Sequence, residues 1–379
     1  MPWTPTTALP SALALALSIL TFLALLASPP RHRALALTAP LLLLLYAFKH
    51  HMAITPWHAV NDTLARMMYI WGSYGGYVFL TVRVKPVVRV QAASGWRERW
   101  GFAGKVLYAR RLRRCTRDTP HNLTRTQFLA HHASRALLFT ATNHAWDTYI
   151  DPALRTHSPP GALAHRTAMV WDTCVGDMLY FSSIYSLFAV LWVCVLRLDA
   201  PHEWSLALFG SLADCWSVRR YWGVYWHDFI RESFAAHVQL LTRGVLGLRR
   251  GAVRRVVENG LVFAASGGAH AAVRWVQTGG QGEVWTVAVW FAAQIGPIVV
   301  EGVVGSVWGQ SRARARVRDR LGGEVLGRLE RMVGYGWVLA WMFWSVPKHL
   351  LTRQAWETER WEKRYEEVFS KVEETMKAL

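Results

Sequence analysis

Between residues 173 and 196 the chain reads TCVGDMLYFSSIYSLFAVLWVCVL, with Asp177 as its one charge. A helix crosses a bilayer core of about 30 Å in about 20 residues, so this run is long enough to span. In hydrocarbon every backbone polar group must be satisfied within the segment, which leaves a helix as the form for a single run of this kind. Further apolar runs occupy 11–28, 34–48, 67–82, 128–146, 260–276, 284–308 and 332–346. The pattern predicts an all-α, polytopic integral membrane protein of about eight transmembrane helices. With no internal repeat or linker, it reads as a single membrane-embedded domain over 1–379.

Charge placement orders the runs. Charged residues make up 18% of the chain, below the ~25% of soluble domains. The net charge of +18 would point to nucleic acid in a soluble protein. Here the cations sit in loops between apolar runs, which favours anionic lipid headgroups and argues against a nucleic-acid partner. The loop 83–125 alone carries twelve Lys or Arg against Glu98 and Asp118. Basic loops begin at 31, 83, 197 and 311, and weakly charged ones at 49, 147 and 277. By the positive-inside rule the N-terminus lies outside the cytosol, in a multi-pass protein of the endoplasmic reticulum membrane. Run 11–28 has no basic residue before it, so it reads as a retained span rather than a cleaved signal. Asn61-Asp62-Thr63 is a glycosylation sequon in a predicted lumenal loop, close to the membrane. Cys115, Cys174, Cys194 and Cys215 form no CxxC pair, which predicts structural thiols and no metal site.

Two stretches concentrate chemistry. The first, 261–276, reads LVFAASGGAHAAVRWV and holds His270 near its middle. About ten residues of helix place it about 15 Å deep. An ionisable side chain at that depth is a functional-site candidate. Ser266, Gly267 and Gly268 just before it allow close approach of another helix or a substrate. The second, 214–229, reads DCWSVRRYWGVYWHDF and holds His227. Taken as a helix over 218–234, it puts Val218, Tyr221, Trp222, Tyr225, Trp226 and Phe229 on one face. Arg220, Gly223, His227 and Arg231 fall on the other. The sequence thus predicts an interfacial amphipathic helix whose basic face meets a phosphate-bearing ligand. Asp177 and Glu301, both inside predicted spans, are placed to orient a histidine or to pair with Arg274. No GxSxG nucleophile elbow, phosphate-binding glycine loop or di-iron histidine box is present.

These residues resemble the wax synthase-like branch of the membrane-bound O-acyltransferases, of the type that acetylates secondary metabolites in fungi. Three anchors carry the resemblance. Phe209-Gly210-Ser211 leads through Ser217-Val218-Arg219-Arg220-Tyr221-Trp222-Gly223 to Trp226-His227. Ser266-Gly267-Gly268-Ala269-His270 follows, and then Gln294-Ile295-Gly296-Pro297 with Glu301. Val224 and Tyr225 stand where basic residues are common, and Ala271 where an acidic one follows the histidine. The resemblance implies transfer of an acyl group, most simply acetyl from acetyl-CoA, to the hydroxyl of a terpenoid or meroterpenoid. No bound cofactor is implied; acyl-CoA is a co-substrate. It implies His270 as general base and His227 as the donor to the thioester oxygen or as the residue that orients the acyl donor. Arg220, Trp222, Trp226, Arg231, Ser266, Gly267 and Glu301 are the substrate-binding residues. A long-chain wax-ester synthase is the nearest alternative. A proton-coupled transporter, from another class, predicts paired broken helices in two related halves, and the chain contains no such halves. The oligomeric state is not legible.

Overall fold

The computed structural model describes residues 4–27, 32–78, 95–104, 122–156, 158–159, 161–227 and 231–378. Most of the basic loop 83–125 lies outside the described residues. The described chain is helical and contains no strand.

Helices α1 (Pro5–Ala27), α2 (Thr38–Lys49) and α3 (His58–Gly76) pack together. Their core holds Phe22, Leu26, Leu44, Ala47 and Met68. A Cβ on Gly75 would lie 2.4 Å from the Phe22 ring, so the glycine lets α3 close onto α1. The second core joins the remaining elements around Phe128, Tyr185, Trp204, Tyr221, Tyr225 and Trp290. It is built from α4 (Arg125–Ala145), α5 (Leu163–Val195), α7 (Ala252–Thr278), α8 (Thr286–Gln310) and α10 (Gly323–Ala378), while α6 (Arg231–Gln239) and α9 (Arg312–Leu321) lie outside it.

Local signals explain several boundaries. Thr124 and Gln127 close a reciprocal capping box at the start of α4. Gly279, at φ 64°, ends α7 in the left-handed conformation. Helix α8 is interrupted at Gln294 and resumes with Pro297 in its next first turn, where a missing N–H does no harm.

Three helices, α1, α5 and α8, are long and apolar enough to cross a membrane, and a shorter apolar helix covers Ala34–Lys49. Their outer faces stay unpacked: Leu9, Leu13, Leu17 and Leu20 on α1, and Val289, Val300 and Val304 on α8, are exposed and lie outside the cavity between the helices. Apolar surface of that extent is what lipid covers.

The helix expected over 218–234 is not continuous. One turn, Val218–Arg220, leads into a wide turn, Tyr221–Tyr225, and the chain then extends at Trp226 (φ −66°, ψ 149°). A new helix starts at Arg231. The break is tertiary in origin: Gly210 donates its amide to the Tyr225 carbonyl at 2.9 Å. A Cβ there would meet the Val224 carbonyl oxygen at 2.4 Å, so only glycine admits the strand-like crossing. The region expected to be a loop at 147–172 is largely helical, as Trp146–Thr156 and the first turns of α5.

The candidate active site

A cavity of about 1440 Å³ runs between α3, α5, α7, α8 and α10. His227 and His270 both line it, as do Trp222, Trp226, Arg231 and Ser266. The two stretches singled out by sequence therefore meet in one chamber, although 43 positions separate their histidines.

His270 sits on α7 with its ring stacked on Phe291, centroids 4.6 Å apart and planes 16° apart. Its Nδ1 lies 2.5 Å from Nη1 of Arg66, on α3. Arg66 is itself held by Asp62, one turn earlier, through Nε at 2.7 Å and Nη2 at 3.3 Å. Gln277 donates to the same carboxylate at 2.7 Å. Burial pushes the Asp62 carboxyl up, but the Arg66 charge and the two donors outweigh it and hold the group below its usual value. Gly267 does not line the cavity. It faces Ala288, where a Cβ would come within 2.8 Å of backbone atoms, and so lets α7 and α8 approach closely.

His227 is set by aromatic edges. The rings of Phe181 and Phe209 stand edge-on to it at 5.4 and 5.5 Å. Burial pulls His227 down to about 3, so it is neutral throughout the physiological range. Trp222 is fixed by its indole N–H, which donates to Gln294 at 3.1 Å. Trp341 donates to the same amide oxygen at 2.9 Å. Gln294, fully buried, returns its NH₂ to the Trp290 carbonyl. Trp226 stacks on Tyr221 at 5.5 Å.

Besides Gly267, two predicted binding residues lie away from the cavity. Arg220 donates to Asp214 through Nε and Nη2 and lies over the Trp216 ring. Glu301 accepts from the amides of Val218 and Arg219 and from the indole of Trp337. It anchors the start of the Val218 turn. Arg274 pairs with Glu357 at 2.7 Å, not with Glu301 or Asp177. Asp177 does line the cavity. Arg219, Arg231 and Arg255 also line the chamber. Arg231 already donates to the Gly223 carbonyl at 2.7 Å.

Sequence reasoning missed Arg66, Asp62 and Gln277. One signal existed: Asp62 and Arg66 stand at i and i+4, the spacing of an intrahelical ion pair. Asn61 beside them is 1% exposed and its amide nitrogen donates to the carbonyls of Met52 and Thr55. The sequon is therefore used for packing in this fold.

Comparison with known proteins places this geometry. Residues 204–293, which include both histidines, match the model of the Membrane bound O-acyl transferase family. Acetyltransferase nanB of Aspergillus nanangensis is 30% identical over 176 residues, 46% of this chain and 40% of the relative. Acetyltransferase aurG of Calcarisporium arbuscula is 29% identical over 192 residues, 48% of this chain and 42% of the relative. Acetyltransferase sirH of Emericella nidulans is 24% identical over 266 residues, 67% of this chain and 56% of the relative. The chain thus spans about half the length of the curated relatives it matches. No solved structure matches. The segment that carries the two cavity histidines is thus similar to the membrane bound O-acyl transferase family and to the acetyltransferases named above.

Proposed function

We propose that this protein transfers an acetyl group from acetyl-CoA to the hydroxyl of a hydrophobic acceptor, such as a terpenoid or meroterpenoid, within the membrane. The observation that carries this reading is that His227 and His270 open into one chamber. An alcohol is a poor nucleophile at neutral pH, so its proton must be taken as it attacks the thioester. Charge then develops on the thioester oxygen and needs a positioned donor. Two imidazoles in one cavity can divide these tasks. Similarity to proteins named as acetyltransferases supports acetyl as the group moved.

The chamber suits two substrates at once. Its volume of about 1440 Å³ exceeds the roughly 300–1,000 Å³ of a single small-molecule pocket. Arg219, Arg231 and Arg255 in its lining offer partners for the phosphates of CoA. Trp222, Phe263, Trp290 and Phe291 offer flat apolar walls to a polycyclic acceptor. We place the protein in the endoplasmic reticulum membrane as a multi-pass enzyme, with Arg219, Arg231 and Arg255 toward the cytosol, where acyl-CoA is found.

Incubating membranes that contain the protein with labelled acetyl-CoA and a panel of terpenoid alcohols tests the reading. Label should move into an organic-soluble acetate ester. Transfer only from palmitoyl-CoA to a fatty alcohol would favour a wax-ester synthase. No transfer from any acyl-CoA would sink the proposal.

A further inference from the structure

Among the described residues five acids line the chamber: Asp62, Asp172, Asp177, Glu283 and Glu357. Three of them are held. Asp62 accepts from Arg66 and Gln277. Asp172 accepts the Trp146 indole at 3.0 Å and pairs with Arg155. Glu357 pairs with Arg274 at 2.7 Å and with Arg353 at 3.0 Å. Glu283 lies in the exposed turn between α7 and α8. Asp177 differs from all of these. It stands inside α5, a helix long enough to span, and makes no hydrogen bond or ion pair among the described residues. A charge at membrane depth is costly, and its usual setting is a functional cavity.

The helix aims this carboxylate inward. A wide turn over Asp172–Gly176 directly precedes it. Such a turn inserts a residue into the helix and rotates the face that follows, and it is frequent at functional sites. Asp177, Tyr180 and Phe181 stand at i, i+3 and i+4, so they share one face. All three line the chamber. Asp177 lies deep within the protein yet its side chain is exposed, because the surface it shows is chamber wall. Phe181, one turn on, meets the His227 ring at 5.4 Å. The Tyr180 hydroxyl is engaged with Thr63 at 2.7 Å, which leaves the carboxylate as the open polar group of the three. The field of Arg66, the residue bonded to His270 at 2.5 Å, reaches Asp177. The carboxylate therefore faces the space that both histidines share.

A carboxylate accepts hydrogen bonds and donates none, so its ligand must be a donor. An ammonium group would meet the positive field of Arg66 in the same place. A neutral hydroxyl gains the bond without that repulsion. We propose that Asp177 is a specificity-determining residue that accepts a hydrogen bond from a second hydroxyl of the acceptor, one that is not acetylated, so that the site takes polycyclic diols in preference to mono-alcohols. The reaction at the first hydroxyl rests on the acyl-transfer reading above; the bond to the second does not. A site that carries a polar group for one substrate hydroxyl discriminates against the analogue that lacks it, because the group is left without its partner. A hydrogen bond to a charged group corresponds to about a 10- to 100-fold preference. Holding the far end of a rigid ring system also orients the near end, which presents the reacting hydroxyl to the histidines.

The test uses the full chain in nanodiscs and two pairs of rigid alcohols, betulin against lupeol and androstanediol against androstanol. The members of each pair share a ring skeleton and differ by one hydroxyl. Dicyclohexylcarbodiimide, an apolar reagent that couples to carboxyl groups, should modify Asp177 faster than the arginine-held Asp62 and Glu357, as read by peptide mass spectrometry. At least one diol should protect Asp177 at a concentration about 10- to 100-fold below that of its mono-alcohol. An unmodified Asp177 would overturn the proposal, as would equal protection, or none, by both members of each pair. Turnover with acetyl-CoA gives the second arm. The ratio of kcat/KM for diol over mono-alcohol should be about 10 to 100 in the wild type. It should fall toward unity in Asp177→Leu, while Asp177→Asn, whose amide oxygen still accepts, should keep part of it. The ratio is read within one sample, so a loss of folded protein cancels. An unchanged ratio in Asp177→Leu, with both alcohols slowed alike, would make Asp177 structural and overturn the proposal. A wild type with no turnover would instead sink the acyl-transfer reading, and selective protection by a diol would still assign the hydroxyl to Asp177.

Discussion

The carboxylate of Glu301 accepts the backbone amide of Val218 at 2.5 Å, so a side chain on α8 caps a turn that begins 83 positions earlier in the chain. The same carboxylate takes the Arg219 amide and the Trp337 indole. Glu301→Ala strands three donors. Only the Val218 bond is partly buried, and a buried donor left unsatisfied costs about 1–3 kcal/mol. The variant should lose thermal stability in detergent and lose activity with it. Glu301→Gln keeps one acceptor oxygen and should fall between the two. A wild-type melting temperature in Glu301→Ala would show that the cap contributes nothing.

Adjacent glycines on α7 should behave oppositely. A Cβ on Gly267 would lie 2.8 Å from the Ala288 backbone and 2.9 Å from Cβ of Phe291, whereas nothing lies within 4 Å of one on Gly268. Gly267→Ala must push α7 off α8, at about 1–3 kcal/mol for an overpacked contact. It should also lower kcat, because Phe291 carries the ring of His270. Gly268→Ala should be tolerated and slightly stabilising, by about 0.5–1 kcal/mol from helix propensity. Parallel melting curves and turnover assays check the pair. Similar effects in both variants would mean that the two helices are not in this contact.

The arginines of the tryptophan motif should separate by role. Arg231 lines the chamber, while Arg220 is engaged by Asp214 and Trp216. Arg231→Ala should raise the KM for acyl-CoA several-fold, consistent with about 1 kcal/mol or less for a solvent-accessible charge contact. Arg220→Ala should leave that KM near the wild-type value and reduce stability instead. A higher KM in Arg220→Ala alone would place the donor elsewhere.

Acid stability should report His227. Burial lowers it from 6.5 to about 3. Below pH 6.5 the unfolded chain takes up a proton that the folded chain refuses until about pH 3. The stability from keeping this ring neutral is thus complete above pH 6.5 and is lost as the pH falls toward 3. His227→Asn removes the titration, so its melting temperature should fall less steeply than the wild type's between pH 6.5 and 4. Parallel slopes would show that the ring is not secluded. Turnover should show no limb from His227 between pH 6 and 8.

Helix α9 tests orientation. It carries Arg312, Arg314, Arg316, Arg318 and Arg320 directly after the α8 span. The positive-inside rule puts it in the cytosol. A protease added to sealed microsomes should cut within 312–321. Protection of that segment would reverse the orientation and with it the side of acyl-CoA entry.

Composition and hydropathy predicted a helical chain with segments able to cross a membrane, because an apolar run satisfies its backbone in only a few ways; the described residues are helical, and three of the helices are long and apolar enough to span. The sequence also marked His227 and His270, since an imidazole beside small residues in an apolar run stands out without any structure. Other features could not be read from order along the chain. The helix expected across 218–234 breaks at Trp226 because Gly210 takes the Tyr225 carbonyl, a partner that helical periodicity cannot see. Arg220 and Arg219 are neighbours with the same side chain, yet packing turns one onto Asp214 and the other toward the chamber. Arg66 is the clearest case. It stands 204 positions from His270, in an ordinary i, i+4 ion pair. Only the packing of α3 on α7 makes it a partner of the imidazole. Local spacing encodes faces of a helix, while the partner of a buried histidine depends on which distant donor the fold brings to it.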